Sequence, residues 1–423
     1  MLKASALYMV IVITLIIGVI CSALIVAAYL YKSQYQAKFR TDQLRNNLNS
    51  GITILLNSRD SIYYKEGRTF SLFNGDADSI TLKKTSWGIF DVCSASAFIN
   101  KDTLYKVFSL ANSIDSAKWG VLYLIDEDRP VSVSGNTVIR GNVYIPKAGI
   151  RTAYVDNQAY TGDQNIVNGK TFDSERKLPP LSAARLEQLK KQLSLSPTAN
   201  DLPAGTDSIA RSFLKPTLAY SFAKKAKTIS HISLNGNIIL YSDTTLVIDS
   251  TTRLNNVLVF AKGILIKSGF RGSCQLFATD SISVERNSNF SYPSCLGILR
   301  FTTGNTVGLP AKLNIGDRTN CEGLIFSYQK DDQQLPPIIS LGKKASVLGQ
   351  IYSMGILNLR TETTINGSVF TKRFLYQSEF TRYENYLINV SMDSRALSSY
   401  YLSSDLTPVA GKPKKILQWL EAN

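Results

Sequence analysis

The chain has 423 residues, 44% of them apolar and 19% charged, and carries a formal net charge of +15. That balance excludes a disordered polyelectrolyte and leaves room for two or three domains. The basic residues are scattered, the densest groups being Lys83-Lys84, Lys224-Lys225 with Lys227, and Lys412 to Lys415. The surplus therefore reads as a generally basic surface with no nucleic-acid arm.

The first element is an apolar helix. Residues 4–31 contain no charge, which is enough to cross a bilayer. Tyr8 lies near one end and Tyr29 and Tyr31 near the other; Tyr8 and Tyr29 stand about 31 Å apart on a helix, so these tyrosines are expected at the two membrane interfaces. The competing reading is a cleaved signal peptide, whose apolar core is ordinarily shorter. Four basic residues follow the span (Lys32, Lys38, Arg40 and Arg45) and only Lys3 precedes it, which by the positive-inside rule favours a cytoplasmic C-terminal flank. A short N-terminus before one long apolar helix nevertheless behaves as an uncleaved signal anchor, and long domains translocate largely regardless of charge, so an exported C-terminal portion is expected. Beyond the span, Leu44, Leu48, Ile52 and Leu55 continue a helical stripe, giving one rod over residues 1–57 that is half in lipid and half packed under the next domain. This rod resembles the N-terminal helix of type IV pilins and minor pilin-like proteins. It lacks that family's processing motif: Lys3, Ala4 and Ser5 stand where a glycine and an apolar residue belong.

Residues 58–130 alternate as short strands with turn signals such as Asn74-Gly75, and are read as a small antiparallel β-domain. "VSVSGNTVIRGNVYIP" from Val131 looks like a first coil of a second domain, residues 131–375, interrupted by an insertion over 147–228 that holds the helix "LSAARLEQLKKQL" after Pro179-Pro180. The coil pattern resumes near Ile232 and recurs at Val257, Gln275, Leu296, Gly323, Gly349 and Gly367, at a spacing of roughly 18 to 27 residues. No helical stripe fits between these strands, so the expected fold is mainly β: a right-handed parallel β-helix, or solenoid, preceded by the transmembrane helix and the small β-domain. A hairpin-built sandwich is the alternative, and Asn235-Gly236 and Asn366-Gly367 would serve it. Residues 376–423 read as a C-terminal cap or tail ending in a short amphipathic turn, "PKKILQWLEAN", with Trp419 on its apolar side.

The short coils rich in Gly, Ser and Val, over about 131–146 and 232–374, are similar to bactofilins and other right-handed parallel β-helix proteins of bacteria. That resemblance implies a scaffold without a catalytic site. Pectate lyases and polygalacturonases resemble the same architecture and imply paired carboxylates. The adjacent acids here, Asp126/Glu127/Asp128 and Asp331/Asp332, fall in turns before prolines and do not face one another across a bond. Cys274, Cys295 and Cys321 sit just ahead of successive coils. Neighbouring coils would bring such residues about 4.8 Å apart, so a Cys274–Cys295 disulfide and a row of buried free thiols are both open. There is no CxxC pair, His231 is the only histidine and assigned a structural role, and no Walker loop, GxSxG elbow or HExxH is present, so no metal or cofactor is expected. Taken together, the expectation is a single-pass, non-catalytic scaffold or display protein of the bacterial cell envelope, with envelope proteins or cell-wall glycan as partners and no nucleic acid. The alternatives are a minor pilin-like component of a secretion or adhesion machine and a carbohydrate-active β-helix enzyme.

Overall fold

The computed structural model describes residues 3–58, 61–64, 67–73, 78–115, 118–195, 200–203, 205–301, 309–331, 334–378 and 381–422. The fold is mainly β with a long N-terminal apolar helix. Two compact units divide the chain, Met1–Lys84 with Cys93–Val107 and Glu421–Asn423, and Thr85–Val92 with Phe108–Leu420.

In the first unit, helix α1 runs uninterrupted over Lys3–Asn57. Its large apolar side chains from Leu7 to Phe39 are exposed, while Leu44, Leu48, Ile52 and Leu55 are buried. The switch from an all-round apolar surface to a stripe is the one the sequence predicts. The stripe packs on the Asp78–Trp87 strand through Gly51, where a Cβ would lie 2.2 Å from the Ile80 side chain. Asn47 donates to Asp78 at 2.9 Å and Arg40 to Asp102 at 2.8 Å. The Lys84 ammonium, almost fully buried, donates to the Ser58 carbonyl at the helix C-terminus (2.7 Å), where positive charge is favoured. Arg68–Phe70 pairs antiparallel with Asp78–Trp87. The expected Asn74-Gly75 turn lies outside the described residues.

The second unit is a stack of parallel strands around one apolar core. Asn235-Gly236 and Asn366-Gly367 lie within strands, so neither makes a hairpin turn. From Ser233 to Gln377 each strand pairs in register with the equivalent strand of the next layer, as Leu258 with Gln275, Ile325 with Ile351 and Ile351 with Val369. Inward residues such as Val259, Leu276, Ile325 and Ile351 alternate with outward ones.

Three boundaries differ from the expectation. Residues 147–228 are not an insertion: they form the two outermost layers. Ile150–Thr152, Val167–Asn168 and Thr171–Asp173 stack on the 131–145 strands, and Ser208–Arg211, Leu218–Ser221 and Lys227–Ile229 stack on 233–248 at the opposite end. Between them, α2 (Ala183–Leu193, with Ser182 as N-cap) returns the chain from one end to the other. These strands are two to four residues long, too short for alternation to be read. Nor are residues 376–423 only a cap. Tyr386–Ile388 and Ser391–Asp393 pair with the strands starting at Val131 and Val138, so the first layer in sequence lies against the last. Leu122–Leu124, expected in the small β-domain, belongs to the same layer. The C-terminal segment is a strand, Ala410–Ala422, next to Asp102–Ile114 in its sheet, and Trp419 packs edge-on against Phe108 at 5.5 Å where an amphipathic turn was predicted.

Three ladders fix the layers. The glycines at 323, 349 and 367 are in register, and a Cβ on Gly349 would fall 2.0 Å from the Gly323 carbonyl oxygen at φ 144°, so only glycine lets the layers close up there. At one corner a positive-φ residue (Asn287, Arg318, Glu362) precedes a buried hydroxyl that bonds back to the carbonyl just past a strand's end, as Thr363 does to Arg360 at 2.7 Å. On the outer side, an aromatic ladder runs from Phe172 through Tyr144, Tyr123, Phe370 and Tyr352, and resumes from Phe326 through Phe277 and Phe260 to Tyr241. Gly297 occupies the ladder position between Phe277 and Phe326, and its missing Cβ lets those two rings meet at 6.3 Å.

Candidate functional site

The anchor is the first functional element. Among the described residues α1 is the one helix long and apolar enough to cross a membrane, and none of its most apolar window is buried. Tyr8, Tyr29 and Tyr31 are all more than two-thirds exposed, as interface residues must be. The polar side chains inside the span satisfy themselves: Thr14 donates to the Val10 carbonyl (3.0 Å) and Ser22 to that of Gly18 (2.8 Å).

The acidic triplet does not converge. Asp126 is buried and accepts the backbone N–H of Asp128 (2.9 Å); Asp128, at φ 58°, pairs with Arg176; Glu127 accepts two bonds from Arg373, at 2.8 and 3.0 Å. One carboxylate caps a turn and two make ion pairs, so no two of them flank a common space. Of the second acidic pair, Asp332 lies outside the described residues. His231 sits at a corner with φ 53°, its N–H bonded to Thr251.

Of the two alternatives open for Cys274 and Cys295, the structure has the buried free thiols. Cys295 is in register with Gln275, one residue beyond Cys274. Because side chains alternate faces, Cys274 points into the core and Cys295 points out, beside Tyr401. Burial pushes the Cys274 and Cys295 thiols well above their ordinary range, which makes them inert.

The most concentrated polar cluster was not among the residues that sequence reasoning singled out. Arg185 of α2 is buried and forks onto Asp405 (2.7 and 2.9 Å), while also donating to Asp91 (3.0 Å) and the Phe90 carbonyl (3.0 Å). Burial alone would lower its pKa; the two carboxylates outweigh that and raise it, so the guanidinium stays charged. A cation on the apolar stripe of an amphipathic helix is the only trace such a lock leaves in sequence.

An outward sheet face carries a row of polar side chains. Lys312–Ile315, Ile338–Leu341 and the second half of Ser346–Leu359 align there, placing Asn314, Ser340 and Asn358 in one row and Ile338 and Ile356 in the next. A cleft of about 220 Å³ opens at one end, lined by Glu127, Gln329, Pro337, Met354, Ile356 and Arg373. A second, of about 600 Å³, opens at the other end and is lined by Asn314, Ser340, Lys343, Asn358, Arg360 and Tyr376. The Tyr376 hydroxyl is pushed up to about 12 by burial and by its bond to Asp156. Each cleft contains a side chain with a buried acceptor that finds no partner among the described residues, Gln329 Oε1 and Asn358 Oδ1. The Gln329 amide orientation is fixed, because its Nε2 donates to the carbonyls of Asp331 (2.8 Å) and Gln334 (3.3 Å).

No family model and no curated protein matches the chain. Among solved structures it is similar to the competence-associated pilin ComZ from Thermus thermophilus, at 8% identity over 84% of this chain and 86% of that one, with a TM-score of 0.24. A likeness at that score carries no argument about fold or function.

Proposed function

We propose that this is a single-pass membrane protein of the bacterial cell envelope, a non-catalytic scaffold or display protein whose exported part is a right-handed parallel β-helix of the bactofilin kind. The observation that carries the reading is the pairing of one exposed apolar span with in-register parallel layers that share one dry core. The commitment of Asp126, Glu127 and Asp128 to a turn and to ion pairs supports the absence of bond-making chemistry. The test is protease protection. Exported layers are cleaved in spheroplasts, or in whole cells if they reach the surface; layers that resist until detergent dissolves the membrane would refute export. A second reading, a minor pilin-like component of a secretion or adhesion machine, is favoured by the unbroken helix that leaves the span and packs its last turns under strands. Its test is co-purification with pilus or pseudopilus subunits.

A further inference from the structure

We propose that the free edge of the C-terminal strand, Ala410–Ala422, pairs antiparallel with the same strand of a second copy of this chain, centred on Gln418. The inference goes beyond the scaffold reading and does not depend on the side of the membrane. It uses only the apolar span, which holds both copies in one bilayer.

Ala410–Ala422 is the last strand of its sheet and has one hydrogen-bonded neighbour there among the described residues, Asp102–Ile114. Its other edge presents a row of backbone N–H and C=O groups, a template for a further strand. Natural proteins blunt such an edge with lysine and proline, and the first half of this one is blunted by Lys412, Pro413, Lys414 and Lys415. The second half is not. Residues 416–420, Ile-Leu-Gln-Trp-Leu, carry neither charge nor proline, and Trp419 is 50% exposed although it lies against Phe108.

The edge's own sequence names the partner. Two copies related by a two-fold axis at Gln418 set Lys415 against Glu421, Ile416 against Leu420 and Leu417 against Trp419, each pair occurring twice, with the two Gln418 side chains opposite each other. Opposed residues differ by an even number, so each pair shares one face of the joined sheet. Opposite charges and apolar pairs directly across are the combinations that stabilise antiparallel strands. The neighbouring registers lose them. A two-fold at Leu417 opposes Lys415 to Trp419 and Glu421 to Pro413, and one at Trp419 opposes Glu421 to Leu417. An unrelated peptide has no reason to match this order of charge. Edge pairing alone buries little surface, and two anchors in one bilayer supply the effective concentration it lacks.

The test is cysteine cross-linking of the full chain in lipid vesicles, in a Cys21→Ser background because Cys21 is the exposed cysteine. Gln418→Cys places two thiols opposite each other, with Cα atoms about 4.5–5.5 Å apart and within disulfide reach. It is expected to give a covalent dimer on mild oxidation. Leu420→Cys separates them by about 13 Å along the strands and is expected to give none. Lys415→Glu added to Gln418→Cys sets like charges across both ends and is expected to slow dimer formation about ten-fold at unchanged circular dichroism. Glu421→Lys on top of it makes the charges opposite again and is expected to return the rate. Equal cross-linking at 418 and 420, no covalent dimer at 418, or a charge reversal that the second substitution does not rescue would each overturn the proposal. Protease protection is read on the unaltered chain, so failure here is separable from failure of the export reading.

Discussion

Arg185→Met removes the charge from the lock and keeps most of the side chain's volume. Asp91, with a side chain only 2% exposed, then loses the guanidinium at 3.0 Å and retains the more distant Lys414 ammonium at 3.7 Å. Breaking a buried pair from one side costs about 3–5 kcal/mol, because a buried charge loses its closest counter-charge. The cost falls on local opening: Arg185 is the α2 residue that reaches Asp91, the Phe90 carbonyl and Asp405. In native-state hydrogen exchange the α2 amides are expected to lose protection by roughly 200- to 4,000-fold while the 253–284 strands keep theirs. Asp91→Leu added to Arg185→Met is expected to return part of the loss, since the buried carboxylate that lost its closest counter-charge is gone. Unchanged α2 protection in the single variant, or simple additivity in the double, would refute the reasoning.

Gly349→Ala is expected to destabilise the stack by more than about 3 kcal/mol in urea unfolding, since the added methyl meets a carbonyl at an unfavourable φ. Gly269→Ala, where φ is also positive but the space is open, is expected to cost about 1 kcal/mol. Cys93, Cys274, Cys295 and Cys321 should resist alkylation in the native protein and all react in denatured, unreduced protein; protection of a pair there would restore the disulfide. Acid should loosen two corner turns. Hydrogen bonds from Thr251 lower the pKa of Asp249, and bonds from Lys267 and Ser268 lower that of Glu285. A carboxylate depressed on folding contributes fully above its unfolded pKa and loses that contribution as pH falls through the folded value. Exchange at Thr251 and Ser268 should therefore rise only below about pH 4.

The rod, its stripe at Leu44, Leu48, Ile52 and Leu55, and the recurring strands after Ile232 were legible because each repeats at the period of its own secondary structure. The outermost layers were not: strands such as Val167–Asn168 are shorter than any period. The aromatic ladder did leave a trace, an apolar residue, then Phe or Tyr, then a small residue, as in "VFA", "LFA", "IFS", "IYS" and "VFT", but its meaning appears only when the layers are superposed. Register also decided the cysteines, since a displacement of one residue moves a side chain to the opposite face of its strand. The outward polar row was invisible because Asn314, Ser340 and Asn358 come from separate strands and share no motif.

The strands of 122–145 are made long before those of 386–393, which lie against them. A growing chain therefore cannot zip this structure from one side as it emerges. The seam waits for residues 386–393, and a chain stopped short of them would have a gap in the middle where an ordinary linear array would merely be shorter.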